Sequence, residues 1–290
     1  MNPTAWWVAG LYLAPAFILA GTGAVWRWRI HRRGERVPVT EKLLRPAGES
    51  LRLRIDALGE KLSTSVFMCI LAPTVGASVL LLPISGYDLT RLIVAFLVAV
   101  ALFTLAARRL FAQVREMRAC TLGFHGERAA AEEINQLMRD GCRVFHDVPN
   151  KPYGNIDHVI VAPSGVFAVE TKTRRKKKVP PGKKDHEVIF DGKALEFPNG
   201  RDTGALEQAR QQADRLRVFL TKAVGEPVAV SPILTLPGWF VSSRVNERMK
   251  VVNPKQIRQV VLNSPAAKLA PQLIERISHQ LDQLCRDVEL

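Results

Sequence analysis

The chain has 290 residues and a formal net charge of +14, with 41 Lys and Arg against 27 Asp and Glu. Such a balance suits a polyanionic partner, either nucleic acid or anionic lipid headgroups, although membrane proteins also keep basic residues on their cytoplasmic flanks. The four cysteines, Cys69, Cys120, Cys142 and Cys285, are widely separated and show no Cys-x-x-Cys or Cys/His spacing. This spacing excludes a zinc site of those kinds and favours free thiols in a reducing compartment.

The first part of the chain contains three long runs of apolar residues. The run from Met1 to Trp26 has no charged side chain and carries tryptophans at both ends. Because a spanning helix needs about 20 apolar residues, and indole rings favour the headgroup level, this run predicts a transmembrane helix over about 5–26. Two further runs, separated by a Pro- and Gly-containing turn, predict a helical hairpin with spans at about 62–84 and 89–107. The alternative is a buried helical hairpin of a soluble protein.

The distribution of basic residues predicts the orientation of these three spans. No basic residue precedes Arg27, so the first run lacks the positive start of a cleaved signal peptide and predicts an uncleaved anchor. The segment 27–61 and the residues after Arg108 are rich in Lys and Arg, so the positive-inside rule predicts that both lie in the cytoplasm, at the inner membrane, with the N-terminus outside. Leu and Ile residues among the charges of 43–58 predict an interfacial amphipathic helix within this linker.

The remainder of the chain predicts helices alternating with strands. The apolar spacing after Gly126 predicts a helix that ends at Asp140–Gly141. Strands are predicted at 143–148, 155–162, 166–173, 228–236 and 250–252, a small hairpin around 188–197, and helices at 203–222, 254–262 and 271–287. We therefore expect an α/β fold with a mixed sheet flanked by helices, preceded by a helical transmembrane region.

Asp157 and the tripeptide Glu170-Thr171-Lys172 lie on the two strands that Pro163-Ser164-Gly165 connects. If the hairpin turns at Ser164, Asp157 lies opposite Glu170 or its neighbour, and Glu170 and Lys172 share a face because side chains alternate along a strand. Two adjacent carboxylates repel each other, and a divalent cation relieves this repulsion. The cluster therefore predicts a Mg²⁺ or Mn²⁺ site able to activate a phosphodiester, with Lys172 beside it. The alternative is a structural ion pair of Lys172 with Asp157 or Glu170.

Three segments together resemble a known family. Gly126-Glu127, then Asn155-Ile156-Asp157-His158-Val159, and then the run from Pro163 to Lys172 resemble the nuclease-related domain, NERD, over about Leu122 to Leu236. This family is assigned to the PD-(D/E)XK nuclease superfamily. The resemblance implies a restriction-endonuclease-like domain at 119–240, with 1–118 as the membrane region and 241–290 as a helical extension packed on the domain.

The resemblance also implies roles for individual residues. Asp157, Glu170 and Glu127 would be metal ligands, Lys172 the catalytic lysine, and Gln208 the glutamine that orients the site or contacts substrate. Glu127 has an alternative role at a helix N-terminus, where a carboxylate is stabilised by the helix dipole. Gln208 is one of three glutamines in its predicted polar helix.

A strongly basic segment follows Lys172, where similar domains usually continue with a less charged, Gly-containing stretch. We expect it to bind nucleic-acid phosphates or anionic lipid headgroups, or to form a solvated loop. Its basic residues are Arg174, Arg175, Lys176, Lys177, Lys178, Lys183 and Lys184.

Taken together, these features predict a membrane-anchored, divalent-metal-dependent nuclease that hydrolyses DNA at the cytoplasmic face of the membrane. Two alternatives stay open. One is a nucleic-acid-binding module that keeps the nuclease fold without cleaving. The other is a membrane scaffold or sensor whose soluble domain recognises a protein.

Overall fold

The computed structural model describes residues 41–78, 89–176, 184–245, 248–265 and 268–289, with the isolated positions 21, 22, 25 and 28. The described residues form two compact units, a helical unit that contains Ser63–Phe111 and an α/β unit made of Lys42–Leu62 and Ala112–Val288. The predicted span at 5–26 lies almost entirely outside the described residues, as does the turn at 79–88.

Two helices supply the described part of the helical unit. Helix α1 comprises Glu49–Ser78 and helix α2 comprises Leu89–Asn135. A Cβ atom placed on Gly76 would overlap Ala99, so the two helices approach closely at this glycine. Large apolar side chains are exposed along both helices, including Phe67, Ile70, Phe96, Leu97 and Leu105. In the described part of the chain, one stretch, Leu89–Asp140, is long and apolar enough to cross a membrane, whereas the sequence predicts three spans.

Both helices are longer than the sequence predicts. The interfacial helix expected over 43–58 is wrong as a separate element, because α1 runs without a break from Glu49 through the predicted second span. Helix α2 likewise continues through the predicted boundary at 118/119 and through Gly126, where the sequence predicts a helix start. No proline interrupts α2, and residues of high helix propensity such as Ala129 and Ala130 follow Gly126, so the helix continues.

The α/β unit is built on a mixed five-stranded sheet. Strand β1 (Leu43–Leu44) precedes α1, and the remaining strands follow α2: β2 (Arg143–Pro149), β3 (Asn155–Ala162), β4 (Gly165–Thr171), β5 (Glu187–Phe190), β6 (Leu195–Phe197), β7 (Gly200–Asp202), β8 (Val230–Thr235), β9 (Phe240–Ser243), β10 (Lys250–Val252) and β11 (Arg286–Val288). The central sheet has the order β10-β8-β4-β3-β2. Its β2–β3 and β3–β4 pairs are antiparallel, while β4–β8 and β8–β10 are parallel.

Helices cover both faces of this sheet. Helices α3 (Gly204–Val224) and α5 (Pro271–Cys285) pack on one face, and the end of α2 with α4 (Ile257–Leu262) packs on the other. Val159 and Ala168 face α3, whereas Ile160 and Phe167 face α2, as the alternation of side chains along strands requires. The predicted mixed α/β architecture with flanking helices is therefore confirmed.

Two smaller sheets complete the unit. The first has the order β7-β6-β5-β9 and packs through Phe190, Leu195 and Phe197 against Trp239 and the first turns of α3. The sequence predicts its β5–β6 hairpin but not β7 or β9. The second pairs β1 with β11, so that Leu43 lies opposite Val288. The residues just before α1 are thereby joined to the end of the chain.

Candidate active site

The β3–β4 hairpin places Asp157 opposite Glu170. Its register pairs His158 with Val169 and Val159 with Ala168, and the next pair in the same register is Asp157 with Glu170. Directly opposed residues of antiparallel strands project from the same face of the sheet, with Cβ atoms about 5 Å apart. The two carboxylates are therefore neighbours on the face that α3 covers.

Glu170 is buried and is held by a side chain of α3. Only 3% of Glu170 is exposed, and Gln212 Nε2 donates a hydrogen bond of 2.7 Å to its Oε2. Burial raises the pKa of Glu170 to about 7, although the hydrogen bond from Gln212 and the charge of Lys172 act in the opposite direction. This carboxyl is therefore close to the midpoint of its titration at neutral pH.

Lys172 lies immediately after β4 and continues its alternation. Its backbone N–H donates to the carbonyl oxygen of Thr235 at 2.9 Å, so the chain stays extended beside β8. Side chains two residues apart on a strand share a face, and the ammonium group of Lys172 is close enough to Glu170 to lower the pKa of that carboxyl. The charge of Lys172 therefore acts on the carboxyl of Glu170.

Asp157 is fixed by the backbone of the neighbouring strand. Its Oδ2 accepts a hydrogen bond of 2.6 Å from the N–H of Thr171. Loss of hydration raises the pKa of Asp157 well above its ordinary value, and the negative charges of Glu170 and Glu127 raise it further. The hydrogen bond from Thr171 opposes this shift because it favours the ionised carboxylate.

Glu127 approaches the same carboxylates from helix α2. It is 7% exposed, and its Oε2 is buried with no hydrogen-bond partner among the described residues. Burial first, and then the charges of Asp147 and Glu170, raise the pKa of Glu127 to about 8. Since α2 begins at Leu89, Glu127 lies in the helix interior, and the alternative role at a helix N-terminus is wrong.

Gly126 allows α2 to pass close to the segment that follows β4. A Cβ atom at this position would overlap the side chain of Thr173, directly after Lys172. A glycine is therefore required for α2 to approach this segment, and its neighbour Glu127 is thereby brought near Glu170. The sequence motif Gly126-Glu127 has a steric explanation in this contact.

The glutamine that contacts the carboxylates is Gln212, not Gln208. Gln208 lies one turn earlier on α3 and is exposed. Gln212 is buried, and besides Glu170 its Nε2 contacts the carbonyl oxygen of Asn155 at 3.2 Å. Its Oε1 is buried without a partner among the described residues. The buried face of α3 contains Ala209 and Leu216, and Gln212 rather than Gln208 lies beside them at helical spacing.

Asp147, on β2, is a further buried carboxylate that the sequence analysis does not identify. It accepts hydrogen bonds from the guanidinium of Arg45 at 2.9 Å, from the N–H and hydroxyl of Ser50, and from the side-chain amide of Asn155. Its φ of 48° is in the left-handed region, which Asp tolerates better than most residues. The sequence feature that points to Asp147 is an ionisable residue within the predicted strand Phe145-His146-Asp147-Val148.

Two histidines occupy the space behind the hairpin, toward α2. His146 Nδ1 and His158 Nδ1 are 2.8 Å apart, and the outer ring nitrogens contact Asn135 Oδ1 at 2.9 Å and Thr171 Oγ1 at 3.2 Å. Burial lowers the pKa of His146 to about 4 and lowers that of His158 well below its usual value. Both rings are therefore neutral at physiological pH, and His158 faces away from Glu170, as the strand alternation predicts.

The donor chemistry of the cluster fits a hard divalent cation. Glu127, Asp157 and Glu170 offer carboxylate oxygens, the ligands that Mg²⁺ and Mn²⁺ prefer. Burial first, and then mutual repulsion, raise the pKa values of Glu127 and Asp157, and a bound cation would favour their ionised forms. Oε2 of Glu127 has no hydrogen-bond partner among the described residues. Among the described residues, however, no three His, Cys, Asp or Glu side chains form a preassembled metal site.

The basic segment after β4 is described in part. Arg174, Arg175, Lys176 and Lys184 are described, whereas Lys177, Lys178 and Lys183 lie outside the described residues. Arg174 stacks on the ring of Phe197 at 4.4 Å, and the ammonium of Lys176 lies 5.5 Å from the ring centre of Trp239. Lys184 pairs with Glu187 at 3.0 Å. Three of these described side chains, Arg174, Lys176 and Lys184, therefore contact the protein.

Comparison with known proteins gives one match. Residues 122–237 match the family model described as the nuclease-related domain, NERD. No curated protein and no solved structure matches the chain. The matched range begins within α2 and includes Glu127, Asp157, Glu170, Lys172 and Gln212. Residues 122–237 of the α/β unit are therefore similar to a nuclease-related domain, and the mixed sheet and carboxylates are consistent with the PD-(D/E)XK superfamily.

Proposed function

We propose that the α/β unit is a divalent-metal-dependent phosphodiesterase that cleaves DNA. The observation that carries this proposal is that three carboxylates from different elements lie within electrostatic range of one another, with Lys172 acting on Glu170. Asp157 and Glu170 lie opposite each other in the register of neighbouring strands. Glu127 is close enough that the charge of Glu170 raises the pKa of Glu127, and the charge of Glu127 raises the pKa of Asp157. The match to a nuclease-related domain over the same residues supports this chemistry.

Glu127, Asp157 and Glu170 would hold Mg²⁺ or Mn²⁺. When bound, the cation supplies a Lewis acid for the phosphodiester and lowers the pKa of a water molecule. Because the three carboxylates do not form a preassembled metal site, we expect cation binding to draw them together. The unpartnered Oε2 of Glu127 is available for this movement.

The surrounding residues position these carboxylates. Gln212 fixes one oxygen of Glu170, and the N–H of Thr171 fixes one oxygen of Asp157. Lys172 carries a positive charge next to Glu170, where it would stabilise negative charge that develops on the phosphate or orient the attacking water.

A cleavage assay on the full-length protein in detergent tests the proposal. We expect DNA cleavage with Mg²⁺ or Mn²⁺ and none with EDTA, and we expect Glu170→Gln and Lys172→Ala to abolish it. Glu275→Gln is the matched control, because Glu275 is an exposed carboxylate paired with Arg143 at 3.2 Å. Cleavage that survives both site substitutions contradicts the proposed site.

DNA-binding and thermal-melting measurements on the same protein distinguish the two alternative functions. Salt-dependent DNA binding without cleavage of any substrate supports a silent binding module. If neither metal nor DNA raises the melting temperature, a scaffold or sensor is supported, since a ligand of the folded state must stabilise it.

We further propose that helices α1 and α2 anchor the α/β unit at the cytoplasmic face of the inner membrane. Phe96 is 67% exposed and Leu97 58% exposed, and such apolar side chains favour lipid over water. Arg108 and Arg109 directly follow the apolar run that ends at Ala107. The positive-inside rule assigns this end of the helix to the cytoplasm. The chain should stay in the membrane pellet after a sodium carbonate wash, and its release into the supernatant would contradict the anchor.

A further inference from the structure

A concave cleft lies along helix α3, the helix whose Gln212 contacts Glu170. It has a volume of about 650 Å³ and lies between the segment that joins β2 to β3 and the outer surface of α3. Ile156, one of its lining residues, directly precedes Asp157, and Leu216 lies one turn after Gln212. The cleft therefore shares α3 and the start of β3 with the elements that carry Gln212 and Asp157.

The cleft presents an exposed aromatic ring with a cation against it. Tyr153 is 64% exposed, and the guanidinium of Arg215 lies 3.7 Å from the centre of its ring. Phe219, on the next turn of α3, is 38% exposed and lines the same cleft. Exposed aromatic rings beside Arg are the features on which unpaired bases stack.

The charges that line the cleft favour an anion. Its two acidic residues are already paired, because Asp287 accepts two hydrogen bonds from Arg45, at 2.6 and 2.8 Å, and Asp214 pairs with Arg217 at 3.5 Å. Arg215 donates to the neutral amide oxygen of Gln211 at 3.3 Å, a contact that leaves its positive charge uncancelled. Lys151 adds a second positive charge at this rim.

We propose that this cleft binds an unpaired nucleotide of a single-stranded nucleic acid, with the base against Tyr153 and the phosphate near Arg215 and Lys151. A base within a duplex is covered on both sides by its neighbours and cannot stack on a side chain. The cleft therefore selects single strands, frayed ends or flaps. This inference rests on the proposed function, because the strand held here would be the substrate of the carboxylate site.

Binding measured without cleavage tests this proposal separately from catalysis. The full-length protein in detergent and EDTA is titrated into fluorescein-labelled oligodeoxythymidine, and into a blunt duplex of equal length, while anisotropy is recorded. We expect the single strand to bind more tightly than the duplex. Tyr153→Ala should weaken single-strand binding by about fivefold to a hundredfold, and Tyr153→Phe should retain it, since the ring does the stacking. Arg215→Ala should reduce the slope of the logarithm of the binding constant against the logarithm of salt concentration by about one.

The control is Phe240→Ala, which removes an exposed aromatic ring outside this cleft. Single-strand binding that Tyr153→Ala leaves unchanged, or an equal preference for the duplex, overturns the proposal whether or not DNA is cleaved. If Tyr153→Ala weakens binding while no metal supports cleavage, the cleft assignment stands and the nuclease assignment fails. Loss of binding in Phe240→Ala to the same extent would also overturn the cleft assignment.

Discussion

Gln212 Nε2 lies 2.7 Å from Glu170 Oε2, and this contact joins helix α3 to the candidate active site. The same nitrogen lies 3.2 Å from the carbonyl oxygen of Asn155, at the start of β3. One buried amide therefore connects three elements. Because its hydrogen bond favours the ionised form of Glu170, it keeps the pKa of that carboxyl below the value that burial alone would set.

Replacing this glutamine should affect both stability and the pH profile. Gln212→Ala removes both contacts, and we expect a loss of about 1–3 kcal/mol of unfolding free energy. The pKa of Glu170 should rise, so metal-dependent cleavage should require a higher pH. Gln208→Ala, one turn away and exposed, is the matched control and should leave both quantities near wild type. A larger effect for Gln208→Ala would contradict the placement of Gln212.

The raised carboxyl pKa values predict how stability depends on pH without metal. Glu127 and Glu170 have ordinary pKa values of 4.5, and in the folded protein these rise to about 8 and about 7. Between these limits the folded state keeps protons that the unfolded state has released, so stability falls as the pH rises. In EDTA, the melting temperature should therefore fall from about pH 6.5 to pH 8. Below pH 6.5 the neutral His146 and His158 act in the opposite direction, because the unfolded state binds protons that their buried rings do not.

Two variants of this measurement test whether the buried carboxyls cause the pH dependence of the melting temperature. Glu127→Gln should flatten the pH dependence, because one of the buried titrating groups is gone. Saturating Mn²⁺ should also flatten it, because a bound cation keeps the carboxylates ionised. A melting temperature that rises over the same pH range in EDTA would show that these carboxyls are not buried together.

Gly126 and Gly59 make a matched pair of helical glycines. Gly126→Ala places a methyl group in the Thr173 side chain, whereas a Cβ at Gly59 meets nothing within 4 Å. We expect Gly126→Ala to lower both the melting temperature and DNA cleavage, since α2 must move away from the segment that holds Lys172. Gly59→Ala should instead stabilise its helix by about 0.5–1 kcal/mol.

A second substitution tests whether the effect of Gly126→Ala is steric. Thr173→Gly removes the side chain that the new methyl group meets, so the double variant should recover much of the lost stability. Equal melting temperatures for Gly126→Ala and Gly59→Ala would contradict the close approach of α2.

Asp147 should be important for the stability of the α/β unit. Asp147→Ala leaves the buried donors of Ser50 and Asn155 without their acceptor, and removes one partner of Arg45, at a cost of about 3 kcal/mol. Asp140→Ala, which breaks an exposed pair with Arg258 at 2.7 Å, should change the melting temperature little. Thermal unfolding compares the two, and equal effects would contradict the buried role of Asp147.

The central hairpin and its carboxylates follow from short-range rules. Strand alternation and the turn at Pro163–Gly165 are enough to place Asp157 opposite Glu170, and the structure has this register. The match to a nuclease-related domain begins at residue 122, where the resemblance of Glu127 and its neighbours begins. These inferences succeed because residues that are close in sequence determine them.

The contacts that the sequence does not predict depend on distant segments. Choosing Gln212 over Gln208 requires knowing which face of α3 meets the sheet, and both glutamines fit a polar helix equally well. Two partners of Asp147, Arg45 and Ser50, lie 102 and 97 residues earlier in the chain. Strands β1 and β11 are too short to produce an alternation pattern, so their pairing becomes visible only in the structure.

Isothermal titration of Mn²⁺ into the full-length protein in detergent, wild type against Asp157→Asn, tests most directly whether the three carboxylates share one cation. We predict one saturable site in the wild type, with proton release on binding because Glu127 and Glu170 are partly protonated at neutral pH. Asp157→Asn should weaken this site at least tenfold, equivalent to about 1.4 kcal/mol. Equal affinity in the two proteins, or no saturable binding in the wild type, would contradict a shared metal site.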